Sequence, residues 1–329
     1  MLPSSITSNL LGAFSLIETL SLAVLLHQQY GPIVRFGPNH ISIKHVKALK
    51  PIYSQRDNVK KFRWYESFYS VSIFNATDNS VHARKRRAMS QAFSDHALCG
   101  MEPHIVSSIR EWYCAIGEDT GINNAAQDGW TRPKDMAHWS ACIVFDVLGE
   151  MCFGRSFETS TKEENYFFFP LMALNVRILN IFGQLPPLRT LGLEAYFRRG
   201  TAANRERQIK FSRKQLADRL AIDTEVSKRK GIIYYFQKAR DPDTGEAYLQ
   251  SELISETTLL LGAGFGTANT ALAATFYFLY KHPLVLMRLS AEIRSTFSSV
   301  ERIVCGTSMQ RMVYLRACLN ESVTVYKGA

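Results

Sequence analysis

Between Glu256 and Lys281 the chain runs for 24 residues without a charge. A stretch of that length and composition has two ways to hide its apolar surface. It can cross a bilayer, or it can form a long helix inside a protein. Its centre departs from the Leu, Ile and Val of an ordinary span: Gly262, Ala263, Gly264, Gly266 and Ala268 cluster there, followed by Asn269 and Thr270. Each glycine weakens a helix by about 1 kcal/mol relative to alanine, so a cluster of them needs a reason. Stripping the side chains from one or two turns lets something wide and flat approach the backbone. Small residues also suit helix packing in lipid, so both readings stay open on the residues alone. Thr267 lies in the thin zone. Its hydroxyl can bond a bound oxygen species or a water, or bond back to the carbonyl of the preceding turn.

Composition narrows the partners. The 329 residues are 46% apolar and 21% charged, the balance of a globular chain with a sizeable core. A net charge of +10 favours anionic partners such as membrane head groups, an acidic protein or phosphate. The basic residues gather in Arg84–Arg87, in the stretch from Arg198 to Lys214, and in Lys228–Lys230. No regular aromatic interleaving, zinc spacing or basic region with heptads accompanies them, so solvated helix faces are expected and nucleic acid is not. The six cysteines are scattered without a CxxC, which suits a reducing compartment. Leu10 to Leu26 is apolar but contains Glu18 and has no basic flank, so as a signal peptide it lacks the n-region. A membrane anchor and an amphipathic helix packed on the body are both compatible with it.

Along the chain, Ile33–Phe36 and His40–Lys44 alternate in polarity about Gly37–Asn39, the pattern of a β-hairpin. Beyond it the periodicity is helical over Val81–Phe93, Glu102–Ile116, Asp135–Phe153, Leu253–Tyr280, Pro283–Phe297 and Met309–Val325. Loops are expected at Asp119–Gly129, Leu185–Leu188 and Asp241–Gly245. The fold class is mainly α with a small N-terminal β-sheet. On the helix beginning at Val81, His82 and Arg86 are four residues apart and point the same way. Together they can hold a carboxylate, or they can belong to a basic surface helix whose apolar side is Ala88, Met89, Ala92 and Phe93.

These segments, in this order, resemble the cytochrome P450 family, the haem-thiolate monooxygenases, and in particular its microsomal-type branch. Gln28–Ile43 looks like the family's first helix and hairpin, and His82–Ser94 is similar to its C-helix. Asp146–Phe157 resembles the end of the E-helix, Ala239–Gly245 and the uncharged stretch look like the loop and I-helix, and Leu315–Thr324 sits where the K-helix belongs. The resemblance implies a single P450 domain, with an apolar helix region over 1–29, hairpin and C-helix over 30–100, and a helical body over 101–329. Within that body the I-helix is expected at about 250–281 and the K-helix at about 309–326. It implies that His82 and Arg86 contact a haem propionate, that Ala263, Gly264 and Thr267 face the haem, and that Thr267 relays protons to bound oxygen. It also implies electrons from NADPH through a flavoprotein reductase and an apolar small-molecule substrate, as in secondary-metabolite biosynthesis. The implied location is the cytoplasmic face of the endoplasmic reticulum membrane, or the cytoplasm if residues 10–26 are no anchor.

Three departures from the family's pattern stand out. Gly266 occupies the position of the acid that precedes the I-helix threonine. Glu321 keeps the first member of the K-helix Glu-x-x-Arg pair, but Thr324 replaces the arginine; an unpaired glutamate is costly wherever it is buried. The family's haem-ligating cysteine lies in a Phe-x-x-Gly-x-x-x-Cys-x-Gly loop after the K-helix, and none of the six cysteines sits in such a setting. No metal ligand is therefore assigned, haem binding is in question, and the expectation is a truncated P450 with its C-terminal part missing and without activity. The alternative is a non-catalytic remnant that binds an apolar ligand or a protein.

Overall fold

A computed structural model of the chain describes residues 24–54, 59–68, 70–118, 133–184, 191–192, 202–221, 229–241 and 244–328. The expected loops at Asp119–Gly129 and Leu185–Leu188, and the apolar segment from Leu10 as far as residue 23, lie outside the described residues. The chain divides into two compact units, Met1–Arg86 with Pro170–Gln208 and Arg87–Phe169 with Ile209–Ala329.

In the first unit, strand β1 (Ile33–Gly37) pairs antiparallel with β2 (His40–Ile43), Ile33 opposite Ile43 and Arg35 opposite Ile41. The hairpin is pinned to the helical residues 24–30 by His27, whose Nδ1 lies 2.8 Å from the Gly31 carbonyl and whose Nε2 lies 2.8 Å from Ser42 Oγ. A carbonyl can only accept, so Nδ1 donates and, in the neutral ring, Nε2 accepts from the serine. After a short helix α1 (Leu49–Tyr53), Trp64, Tyr65, Phe68 and Phe74 meet edge to face. Lys61 donates to the carbonyls of Ile73 (3.0 Å) and Phe74 (2.6 Å) beside them, and its partial burial lowers its pKa. Helix α2 (Asn79–Ala92) starts where Asp78 accepts from the N–H groups of Ser80 (2.8 Å) and Val81 (3.0 Å).

The second unit is helical. Helix α3 (Asp95–Glu118) packs on α4 (Met136–Phe153), and α4 packs on the long helix α8 (Gln250–Lys281). Between them in sequence come α5 (Phe168–Gln184), which from Pro170 onward belongs to the first unit, α6 (Ala202–Ala221), which joins the second unit at Ile209, and α7 (Ile232–Lys238); helices α9 (Pro283–Thr296), α10 (Thr307–Gln310) and α11 (Val313–Gly328) follow. Where the sequence pattern gives one helix over Met309–Val325, the chain breaks at Arg311–Met312 into α10 and α11. The reason is a cap: the Glu292 carboxylate on α9 accepts from the N–H groups of Tyr314 (3.0 Å) and Leu315 (2.9 Å) and starts α11 afresh.

Helix α4 has conventional ends. Asp135 accepts from Ala137 N–H at 2.9 Å, and Gly154 closes the helix at φ 76°, a left-handed conformation that favours glycine. Its buried Asp146 holds the chain that returns over it. One carboxylate oxygen accepts from Thr159 N–H (2.7 Å) and Oγ1 (2.9 Å), the other from Ser160 N–H (2.8 Å) and Oγ (2.7 Å). Immediately before it in sequence, Phe145 is the hub of an aromatic core, with ring centroids 4.6 Å from Phe157, 4.5 Å from Phe168 and 5.8 Å from Phe265 of α8.

By length and composition, α4 and α8 are the two described helices able to cross a membrane. Helix α8 instead packs on α4, α7, α9 and α11 and carries a fully buried Glu256 within its first two turns. These contacts are those of a helix packed against other helices, with 22% of its apolar window buried.

Candidate functional site

At about 1.5 Å per residue, the 32 residues of α8 extend ~48 Å, and its thin zone lies at the middle. The two sides of that zone differ. Leu261 and Phe265 are buried, and a Cβ on Gly264 would come 2.8 Å from Leu148 Cδ2 of α4. Gly264 is therefore small because another helix lies against it. Ala263, Gly266, Thr267 and Ala268 are exposed, and a Cβ on Gly266 would meet no atom within 4 Å. No described residue of the second unit accounts for a glycine at 266. Ala263, Gly266 and Thr267 fall at i, i+3 and i+4, so they make one flat, side-chain-poor surface.

Thr267 Oγ1 donates to the Ala263 carbonyl at 2.9 Å, as Thr258 and Thr275 do to theirs in the same helix. Its proton is engaged and its lone pairs remain as acceptors. Two residues on, Asn269 Oδ1 is buried and accepts no hydrogen bond from the described residues. An exposed flat strip with an acceptor hydroxyl and an unused amide oxygen behind it fits the face of a planar cofactor and an attendant water.

His82 and Arg86 lie in the first unit, on α2, with His82 half-buried and Arg86 exposed. Among the described residues no carboxylate pairs with Arg86, which leaves its fork free for an external anion. The basic run does not form a uniformly solvated face. Lys85 is buried because it shares the inner side of α2 with Ala88 and Ala92, and Arg87 reaches Asp241 at 3.8 Å.

The cysteines divide sharply. Cys142 and Cys152 are buried in α4, where burial pushes their thiols up to about 11 and about 12. They are protonated at neutral pH and do not act as anionic ligands. Cys99, Cys114 and Cys305 are exposed, and among the described residues no group of three His, Cys, Asp or Glu side chains is placed to hold a metal. On α11, Glu321 is exposed, so the cost of an unpaired buried charge does not arise. Thr324, in the arginine's place, donates to the Asn320 carbonyl at 2.8 Å.

Sequence reading missed the carboxylates with the most work to do. Asp146 and Glu292 each serve backbone N–H groups distant in sequence, and only the fold reveals those partners. A buried-looking acid inside the apolar run Ile143–Leu148 was the available signal for Asp146.

The family model for cytochrome P450 matches residues 10–326. The chain belongs to the cytochrome P450 family, and its helical body with one small antiparallel sheet is that family's fold. It is 34% identical to the cytochrome P450 monooxygenase atnE of Emericella nidulans over 92% of this chain and 59% of the relative. It is 30% identical to the cytochrome P450 monooxygenase apf7 of Gibberella fujikuroi, over 90% and 59%. With the trichothecene C-15 hydroxylase of Fusarium sporotrichioides the identity is 29%, over 92% and 60%. The chain thus spans about three-fifths of the length of these relatives. Among solved structures, the cytochrome P450 CYP102L1 superposes with a TM-score of 0.64 at 19% identity, covering 90% of this chain and 67% of that one.

Proposed function

We propose that residues 1–329 supply the oxygen-side half of the haem pocket of a monooxygenase that oxidises an apolar small molecule in secondary metabolism. The observation that carries this is the exposed strip Ala263–Gly266–Thr267, whose glycine no described residue of its own unit explains. The relatives' names, monooxygenases and a hydroxylase, support the reaction class. Bound haem supplies the iron at which dioxygen is activated. By the family resemblance, Arg86, with His82 one turn before it, would hold a propionate through charge-assisted hydrogen bonds. Ala263 and Gly266 admit the flat ring, and Gly264 acts through the approach of α8 to α4. Thr267, its own proton engaged with Ala263, accepts a hydrogen bond from a water. Gly266, in the acid's position, has no proton to give, so water carries the protons. Electrons come from NADPH through a flavoprotein reductase docking on the basic surface, at the cytoplasmic face of the endoplasmic reticulum.

An axial thiolate promotes cleavage of the oxygen–oxygen bond. The buried thiols of α4 do not provide one, and we infer that residues 1–329 by themselves bind haem weakly and do not oxidise substrate. A second reading, a non-catalytic ligand-binding or protein-binding role, draws support from the exposed Tyr280, Leu284, Met287 and Val313. The test is the spectrum of the haem-reconstituted chain, reduced and exposed to carbon monoxide. Haem uptake that weakens in Arg86→Ala, with a band typical of a nitrogen or water ligand, is the expected result. A red-shifted thiolate-type band overturns the inactivity claim, and no haem uptake at all favours the second reading.

A further inference from the structure

Between α9 and α10 the chain runs back along α3. Cys305 N–H donates to the Glu102 carboxylate at 2.5 Å, a bond between residues 203 apart in sequence. Its own backbone N–H and the Ser299 hydroxyl keep the Glu301 carboxyl below its ordinary pKa, and the charge of Arg110 on α3 adds to the pull. Glu301 thus lies toward Arg110 and Cys305 at Glu102, so the segment travels antiparallel to α3. The lengths agree: residues 102 and 110 are ~12 Å apart along a helix, and the steps from 301 to 305 span at most ~14 Å. Cys99 stands one turn beyond Glu102 in the direction of travel, on the side of α3 that carries Glu102 and Arg110. Pro103 has no N–H for the Cys99 carbonyl, so the turn that carries Cys99 is loosened. Both thiols are free and exposed. Cys114, the other exposed thiol of α3, lies ~18 Å beyond Glu102 in the opposite direction, out of reach of Cys305.

We propose that Cys99 and Cys305 are a redox pair that closes to a reversible disulfide under hydrogen peroxide, with Glu102 as the residue that holds the segment in position. One thiolate attacks the peroxide; an S–O bond forms, the O–O bond breaks, and the displaced hydroxide takes up a proton and leaves as water. The second thiolate attacks the sulfenic sulfur, the S–S bond forms, and a second water leaves. Two thiols and one peroxide thus become one disulfide and two waters, and a dithiol reductant reverses the bond by exchange. A disulfide needs its Cα atoms within ~7 Å. The bond from Cys305 to Glu102 brings the segment to the neighbouring turn, and the loosening at Pro103 supplies the remaining movement. Once closed, the bridge tethers the chain entering α10 and α11 to α3, and it constrains the unfolded state through a very long loop. Neither thiol belongs to the strip on α8, and the reaction needs no haem.

The experiment is oxidation of the full 329-residue chain with hydrogen peroxide at micromolar protein, followed by alkylation of the remaining thiols, digestion without reductant, and mass spectrometry. The expected result is a linked pair of peptides carrying Cys99 and Cys305 from one chain, return of both thiols with dithiothreitol, and a rise in Tm of about 5 °C on oxidation. Cys305→Ser should abolish the link and the rise and leave Cys99 as a sulfenic acid that dimedone traps. Glu102→Ala separates position from charge. A carboxylate beside a thiol disfavours the thiolate, so by charge alone its removal would speed the reaction, whereas loss of its hold on Cys305 should slow disulfide formation several-fold. No link between Cys99 and Cys305, a link only between two chains, or an undiminished rise in Tm in Cys305→Ser overturns the proposal. So does a disulfide that forms in Glu102→Ala as fast as in the unsubstituted chain. If Cys305→Ser does not fold, Cys99→Ser takes its place: loss of the rise supports the proposal, and an undiminished rise overturns it.

Discussion

The two sides of α8 at its midpoint are made from the same small residues and serve opposite ends. On one side Gly264 lets Leu148 approach, and Leu261 and Phe265 join the aromatic core around Phe145. On the other, Ala263, Gly266 and Thr267 face open space. Smallness on the packed side is required by what is already there; on the exposed side it costs helix stability and keeps a surface clear. A glycine's role is thus read from what its missing Cβ would touch, and the difference can be tested by moving each side separately.

The largest effect is expected in the packed half. Phe145→Ala removes the ring at the centre of the cluster and should cost about 3–5 kcal/mol in urea unfolding. Asp146→Ala should also be severe. It strips the N–H groups of Thr159 and Ser160 and the Ser160 hydroxyl of their acceptor, while Thr159 Oγ1 keeps the Cys142 carbonyl at 3.0 Å, and hydrogen bonds to charged groups contribute about 1.5–3 kcal/mol each. A small loss in either variant would mean that the cluster is looser than its ring distances imply.

The same half sets an alkaline limit. Cys142 and Cys152 have folded pKa values raised to about 11 and about 12 from 9.0, chiefly by burial. A raised thiol pKa means that the folded state favours the neutral form. Its stabilising contribution is whole below pH 9.0 and is lost as pH climbs toward 11 and 12, at about 1.4 kcal/mol per pH unit for each thiol once the unfolded state ionises. Cys152→Ala should flatten the fall in stability above pH 9.0 relative to the unsubstituted chain. Thiol labelling of the folded protein should reach Cys99, Cys114 and Cys305 quickly and leave Cys142 and Cys152 to unfolding.

Much of this arrangement is legible without coordinates, and what is not has a physical reason. The long helices follow from apolar periodicity, so Asp135–Phe153 and Leu253–Tyr280 fall within a few residues of α4 and α8. The hairpin follows from alternation about Gly37–Asn39. Helix α7 escaped notice because its seven residues are too few to show a period, and Phe168–Gln184 because aromatic and aliphatic residues occur all round it. The clustered glycines of α8 announced a thin zone, but a linear pattern does not tell a glycine facing Leu148 from one facing open space. Gly264 is half-buried against Leu148 while Gly266 is exposed, a division that the linear pattern does not carry. Glu292 is likewise invisible in one dimension, since it caps a helix 21 residues ahead of it, at Val313.

Returning to the two sides, Gly264→Val should destabilise by about 1–3 kcal/mol, because the added branches must displace Leu148 from a filled interface. Gly264→Ala is the milder control, since the conflict at 2.8 Å is with the far end of a flexible leucine. The smallest effect, and the most discriminating, belongs to Gly266→Ala. A Cβ there meets nothing within 4 Å, and alanine is better than glycine in a helix interior by about 0.8–1.0 kcal/mol, so the variant should be the more stable protein. If the exposed strip exists to admit haem, the same methyl should weaken haem uptake while it raises the unfolding midpoint. A residue whose removal from the sequence improves the fold and harms the ligand is kept for the ligand. Should Gly266→Ala gain stability with no loss of haem affinity, the clear surface would have some other purpose, and the assignment of the strip would fall with it.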